Sequence, residues 1–179
     1  MSKKVLVIST SLRRNSNSYR LAQEFAKGAE AAGHEVELIS LIGREINYCV
    51  GCLACQNTQK CVIDDDANLI AEKLVKADVV CYATPIYYYE MAGQMKTLLD
   101  RMNPLFPSDY AFRDVYMLSS AAEDGKDTDA RAKSGLQGWI DCFEKARFAG
   151  SVFAGGVTMV GEIEGHKALQ EAYTMGKNV

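Results

Sequence analysis

No run of apolar residues in this 179-residue chain is long enough to cross a bilayer, and the sequence has no internal repeat, low-complexity tract or linker. Those absences leave one domain over residues 1–179, large enough to bury a core without staples. An excess of charge of one sign is also missing. Twenty Lys and Arg against 23 Asp and Glu give a net charge of -3, which argues against a nucleic-acid binder and gives only a mild acidic bias toward partners. Lys3 and Lys4 precede VLVIS, but that run is too short for a secretory leader and arginines follow where a cleavage site should be. Histidine is scarce: His34 and His166 both read as turn residues without partners, so neither is an acid–base candidate and no catalytic side chain is assigned. Six cysteines in a chain without a leader are expected to be reduced thiols in a cytoplasm, where clustering more often means metal or redox work than disulfides.

The chemistry-bearing stretch is Lys4 to Ser18, KVLVISTSLRRNSNS. Val5 to Ile8 form a continuous apolar run, the pattern of a strand buried on both faces. It empties into Ser9, Thr10, Ser11, Ser16 and Ser18, which offer hydroxyls, Asn15 and Asn17, which offer amides, and Arg13, whose planar fork suits phosphate oxygens. An amphipathic helix follows at once, so its unpaired N–H groups and positive dipole end face the same loop. Strand, loop and helix start together make a phosphate cradle; a solvated loop with a Ser or Asn cap is the alternative.

Downstream, helix one is expected at 17–32, with Leu21, Phe25, Ala29 and Ala32 at helical spacing and Gly33 as the stop. Strand two (35–40) alternates like a half-covered edge. Residues 41 to 66 show no period, and an aperiodic segment of that length inside a compact domain is usually functional. Helix two (67–76), strand three (ADVVCYAT), helix three (92–102), strand four (115–120), helix four (129–147), strand five (near 151–160, broken by Gly155 and Gly156) and a closing helix (165–176) complete the chain.

The cradle, the cysteine run CVGCLACQNTQKCVIDDD at 49–66 and the stretch TPIYYYEMAGQMKTLLDR at 84–101 resemble, in that order, the flavodoxin-like NAD(P)H-dependent FMN reductases, and within them the branch that includes the iron–sulfur flavoproteins. Alternating strands and helices imply a doubly wound, five-stranded parallel sheet in the order 2-1-3-4-5 with helices on both faces, and ligands bind such sheets at the switch point between strands one and three. That rule selects the loops 9–18 and 84–93, the same two that carry the resemblance. It implies FMN held by Ser9, Ser11, Leu12, Arg13, Ser16, Asn17 and Ser18. Pro85, Ile86, Tyr87, Tyr88, Tyr89 and Met91 would wall a flat ring, with Gly93 permitting close approach; the tyrosines also suit a subunit interface, and the two uses are compatible in a dimer. The loop after strand four, SSAAEDG, would add Ser119, Ser120 and Ala121, although it carries alanines where many relatives have glycines and reads also as a plain surface turn. Phe106, Tyr110 and Phe112 are left between capping the pocket and packing on the sheet.

Cys49, Cys52, Cys55 and Cys61 stand as C-x2-C-x2-C-x5-C. The first three spacings match the bacterial ferredoxin run, without the proline that follows its last cysteine, so a 4Fe-4S cluster is one reading; structural zinc more often takes two separated pairs. A tight loop of small cysteines around Gly51, with free thiols, is the other reading. Cys81 and Cys142 are single and are expected to pack in the core, and Asp64, Asp65 and Asp66 to cap helix two. No glycine-rich dinucleotide fingerprint follows any strand, so a nicotinamide must use the flavin face itself and leave before the acceptor arrives. The expected activity is transfer of hydride or electrons from NAD(P)H through FMN to a quinone, a flavin or a similar acceptor. An electron carrier of flavodoxin type, with a small-molecule or redox-protein partner, and a non-catalytic scaffold are the alternatives. The resemblance implies a homodimer or homotetramer.

Overall fold

A computed structural model describes residues 1–179. Strand β1 (Lys4–Ser9) is followed by α1 (Asn17–Ala31), β2 (Glu35–Ser40), a four-residue α2 (Cys55–Thr58), α3 (Asp66–Lys76), β3 (Val79–Tyr87), a two-residue β4 (Glu90–Met91), α4 (Gly93–Arg101), β5 (Asp114–Ser120), α5 (Ala130–Ile140), β6 (Arg147–Ala154) and α6 (Lys167–Lys177). The five long strands are parallel in the order β2-β1-β3-β5-β6, which is the 2-1-3-4-5 winding read from the sequence, and β4 folds back antiparallel on the end of β3. No helix is long and apolar enough to cross a membrane.

Alternation along the central strands divides two cores between the faces. Leu6 and Ile8 pack with Ile70, Leu74, Met95, Leu98 and Leu136 under α3, α4 and α5, while Val5 and Val7 pack with Leu21, Phe25, Ala168 and Ala172 under α1 and α6. This two-sided burial is why β1 and β3 read as continuous apolar runs. Helices α1 and α6 approach closely because Gly28 and Gly176 carry no side chain: a Cβ at Gly28 would lie 2.0 Å from the Tyr173 carbonyl oxygen, and one at Gly176 2.0 Å from that of Phe25. Ser16 caps α1 by accepting the Tyr19 N–H at 3.2 Å, and Gly33 ends the helix at φ 86°.

Several expectations are corrected. Helix four, expected to reach residue 147, stops at Ile140, and the last strand begins at Arg147 and ends at Ala154 rather than spanning 151–160. β6 is an edge strand paired only with β5, so its half-exposed residues lack the apolar density of β1 or β3; at its start Arg147 Nε donates to Asp114 Oδ1 at 2.7 Å. β3 runs three residues past Thr84, through Pro85 to Tyr87, because Ile86 and Tyr87 pair with Met91 and Glu90 of β4. Cys142 does not pack in the core: it lies exposed beyond α5, whereas Cys81 is fully buried and burial pushes its thiol pKa well up. Tyr110 and Phe112 pack on the sheet with Trp139 and Phe143, and Phe106 is exposed.

Candidate functional site

The three loops selected at the carboxyl edge of the sheet meet in one cleft of about 160 Å³. Ser11, Arg13, Ser16 and Asn17 enter it from the loop after β1, Pro85, Ile86 and Tyr87 from the end of β3, and Ser120, Ala121 and Ala122 from the end of β5. Val157 and Thr158, from the turn after β6, close it. Reading residues 151–160 as a strand hid that turn; Gly155 and Gly156 were the available signal. Gly155 is needed because a Cβ there would lie 2.5 Å from the Asp124 Cα, so the turns after β5 and β6 pass in contact.

The first loop brings hydroxyl, amide and guanidinium groups to the start of α1. Thr10 Oγ1 donates to the Ala83 carbonyl at 3.0 Å and ties the loop to β3, and Asn15 turns the chain at φ 53°. The first amides of α1, those of Asn17 and Ser18, have no helical carbonyl to meet. Arg13 Nη1 donates to the Thr158 carbonyl at 2.6 Å and Asn17 Nδ2 to that of Met159 at 3.1 Å, so the β6 turn lies across the cradle. Glu162 holds that turn by accepting the Thr158 and Met159 N–H groups at 2.6 and 2.8 Å, and these two bonds lower its carboxyl pKa. Ser9 Oγ and Asn17 Oδ1 are buried without a partner. Ser9 and Ser18 lie beneath the loop rather than on the cleft wall, and Leu12 projects, half exposed, to the other side.

At the second loop, β3 and β4 form a hairpin whose two turn residues, Tyr88 and Tyr89, take φ 52° and 67°. This is the left-handed pair of a type I′ turn, more often Asn-Gly. It leaves Tyr88 97 % exposed, with Tyr87 and Tyr89 about half exposed beside it, and the Ala92 N–H donates to Thr84 Oγ1 at 3.1 Å across the base. Met91 does not join this exposed surface; it is buried in the core against α5 at Gly135. At the third loop Ser119 also points away from the cleft, donating to the buried Asp129 Oδ2 at 2.9 Å, and so anchors the turn that presents Ser120 and Ala121.

The cysteine segment is organised by a side chain that the sequence did not mark. Arg101, at the end of α4, is fully buried: Nη1 meets Asp65 Oδ2 at 2.6 Å and the Asn47 carbonyl at 2.8 Å, and Nη2 meets Asp65 Oδ1 at 2.9 Å and the Ile63 carbonyl at 3.1 Å. Asp65 also caps α3, as expected of the aspartate run, accepting the Ala67 N–H at 3.1 Å. Burial pushes its carboxyl pKa up, but the guanidinium and the amides of Asn47 and Ala67 outweigh burial and hold it below the ordinary value. Of the cysteines, Cys55 is buried and accepts from Asn103 Nδ2 at 3.3 Å, Cys61 is half buried, and Cys49 and Cys52 are exposed. All four are free thiols, and no three of them are gathered into a coordinating set. His34 and His166 are structural: His34 Nδ1 accepts from the Lys3 N–H, and His166 Nδ1 caps α6 at Ala168.

A five-strand doubly wound parallel sheet in this order, with helices on both faces, defines the flavodoxin-like α/β class. The chain belongs to the NADPH-dependent FMN reductase family, whose profile matches residues 3–144. Among proteins of curated function it is similar to an iron–sulfur flavoprotein of Methanocaldococcus jannaschii (38 % identity over 102 residues, 57 % of this chain and 53 % of that one). An iron–sulfur flavoprotein of Archaeoglobus fulgidus is 36 % identical over 101 residues (56 % and 46 %). The chain therefore spans about half the length of these curated relatives. In three dimensions it superposes on the NAD(P)H:quinone oxidoreductase of Methanothermobacter marburgensis with a TM-score of 0.74 at 16 % identity, covering 99 % of both chains. An azoreductase of Bacillus anthracis matches with the same TM-score of 0.74 at 14 % identity and complete coverage of both chains. At these identities the likeness is one of fold.

Proposed function

We propose that this protein holds FMN in the cleft and uses it to carry hydride or electrons from NAD(P)H to a small oxidised acceptor such as a quinone or a free flavin. The observation that supports it most is the convergence of three loops, from three different crossovers, on one cleft at the switch point of the sheet, with a buried acceptor left unpaired at Asn17 Oδ1. The donor set fits a monophosphate cofactor. The hydroxyls of Ser11 and Ser16, the Arg13 guanidinium and the free amides at the start of α1 are phosphate donors, and Asn17 Oδ1 is positioned to accept from a polyol hydroxyl. The cleft is shallow, so much of a bound FMN would lie along the open rim beside Tyr87.

When bound, FMN supplies the hydride acceptance and electron delivery; the chain supplies position and environment. Arg13 serves as counter-charge, and its bond to the Thr158 carbonyl means that ligand and β6 turn share one guanidinium. Ser120 and Ala121, carried on the turn that the Ser119–Asp129 bond anchors, line the wall opposite the first loop. The titratable side chains that line the cleft are Arg13 and Tyr87. Because donor and acceptor would use the same flavin face, steady-state data are expected to give parallel double-reciprocal lines; intersecting lines would refute the shared face.

The similarity to iron–sulfur flavoproteins supports a second reading, a cluster on Cys49, Cys52, Cys55 and Cys61 through which electrons leave singly. The thiols as placed do not form a ligand set. Iron and sulfide analysis of anaerobically prepared protein decides between the two.

A further inference from the structure

A larger cavity, of about 550 Å³, lies on the other side of the first two loops and shares only Tyr87 with the lining of the cofactor cleft. Leu12, Leu41, Ile46, Tyr48 and Tyr87 give it apolar and aromatic walls. Tyr87 lines both this cavity and the cleft, and Leu12 follows directly on Ser11 of the cleft, so the two spaces share a partition. Every polar side chain that faces it can donate, and Arg44 does nothing else, although Gln94 Oε1 and the hydroxyls of Thr97 and the two tyrosines also accept. Gln94 and Thr97 on α4 are half buried and their side chains bond to nothing in the protein, Arg44 uses only Nη1 on Asp66 and keeps its other N–H groups, and the amides of Gly93 and Gln94 open α4. No carboxylate lines it.

We infer that this cavity is a binding site for a planar ring system that carries a carbonyl or anionic oxygen at its edge, held against the partition next to the flavin cleft. Apolar walls formed by two tyrosines and three aliphatic side chains suit a flat ring face, the volume accommodates fused rings, and a rim with one cation, two open backbone amides and no carboxylate favours electron-rich oxygens over ammonium groups. As a holding site that the acceptor occupies before it takes its turn on the flavin face, the inference rests on the oxidoreductase reading, whereas the binding claim stands on the cavity alone. It also gives the aperiodic segment from Leu41 to Tyr48 a role independent of the cysteines that follow it: Arg44, Ile46 and Tyr48 set which ring is admitted.

The test uses the FMN-loaded protein and two probes, 1,4-naphthoquinone and its 2-sulfonate, with dissociation constants measured by quenching of tyrosine fluorescence. Ile46→Trp, which fills the cavity, is expected to weaken both probes on the order of tenfold or more. Arg44→Gln is expected to weaken the sulfonate about threefold to fivefold and to spare the neutral quinone, as for a partly exposed ion pair. FMN affinity should stay within about twofold in both variants, since neither side chain lines the cofactor cleft. Should Ile46→Trp fail to load FMN, Thr97→Phe on the outer side of α4 narrows the same space. Unchanged probe affinity in the filled variants overturns the inference. So does loss of probe and FMN together, which would place the ring in the cleft, or a change of molecular mass in Ile46→Trp, which would make this face a contact with a second copy. Probe binding that depends on the cavity in a protein whose flavin NAD(P)H does not bleach would keep the site and refute the oxidoreductase reading; bleaching with cavity-independent binding would do the reverse.

Discussion

Replacing Arg101 by Met isolates what fixes the segment from Ile46 to Asp65. The side chains of Arg101 and Asp65 are 0 % and 1 % exposed, and the guanidinium makes four bonds, two to the carboxylate and one each to the carbonyls of Asn47 and Ile63. Methionine matches the length of the stem but leaves Asp65 as a buried, uncompensated charge, a change that costs about 3–5 kcal/mol. At about 2–4 °C per kcal/mol for a chain of this size, the thermal midpoint should fall by roughly 6–20 °C. Adding Asp65→Asn should recover part of the loss, because an amide still caps α3 and no unpaired charge remains. The pH dependence has a definite sign. Asp65 titrates below its ordinary 3.8 in the folded chain, so the pair contributes fully above that value and its contribution disappears as pH falls through the lower folded pKa. Denaturant titrations of wild type, both single variants and the double variant, between neutral pH and about pH 3, measure all of this. A loss below about 1 kcal/mol in Arg101→Met, or an acid limb unchanged in Asp65→Asn, would refute the claim that this pair organises the segment.

Arg13→Ala should weaken FMN by about 1.5–3 kcal/mol, the range for a charged hydrogen bond, and the smaller end is expected because Arg13 is also spent on the Thr158 carbonyl; an unchanged dissociation constant removes Arg13 from the site. Gly176→Ala should cost about 1–3 kcal/mol or more by prying α6 from α1, read as a lower denaturation midpoint with FMN affinity retained. Cys52→Ser should abolish iron binding if a cluster is held, with FMN largely retained, and should change little if the thiols are free; iron absent from anaerobically reconstituted wild type would remove the cluster.

What the sequence disclosed follows from what leaves a periodic or compositional trace. Val5 to Ile8 and Val79 to Ala83 read as buried strands because both faces are covered, and the order of the long strands then followed from connection rules. The first loop was legible because its hydroxyls, amides and Arg13 stand between a strand and a helix start. The turn at Val157 and Thr158 was not, because β6 is a half-exposed edge strand and its boundaries slid along the sequence. The hairpin at Tyr88 and Tyr89 was hidden for a different reason: two tyrosines occupy left-handed positions that usually announce themselves with Asn or Gly. Met91 sits among exposed tyrosines in sequence yet faces inward, since alternate residues of a hairpin point to opposite sides. Arg101 ends an amphipathic helix, where a charged residue reads as solvated, and only its distant partner Asp65 explains its burial.

The central claim is that the cleft loads FMN which a nicotinamide reduces. Anaerobic titration of the FMN-loaded protein with NADPH and then NADH, followed in the visible spectrum, tests it directly. The account predicts one FMN per chain and stoichiometric bleaching by at least one of the two, reversed by adding a quinone. A chain that takes up no FMN, or a bound flavin that neither nicotinamide bleaches, would contradict it.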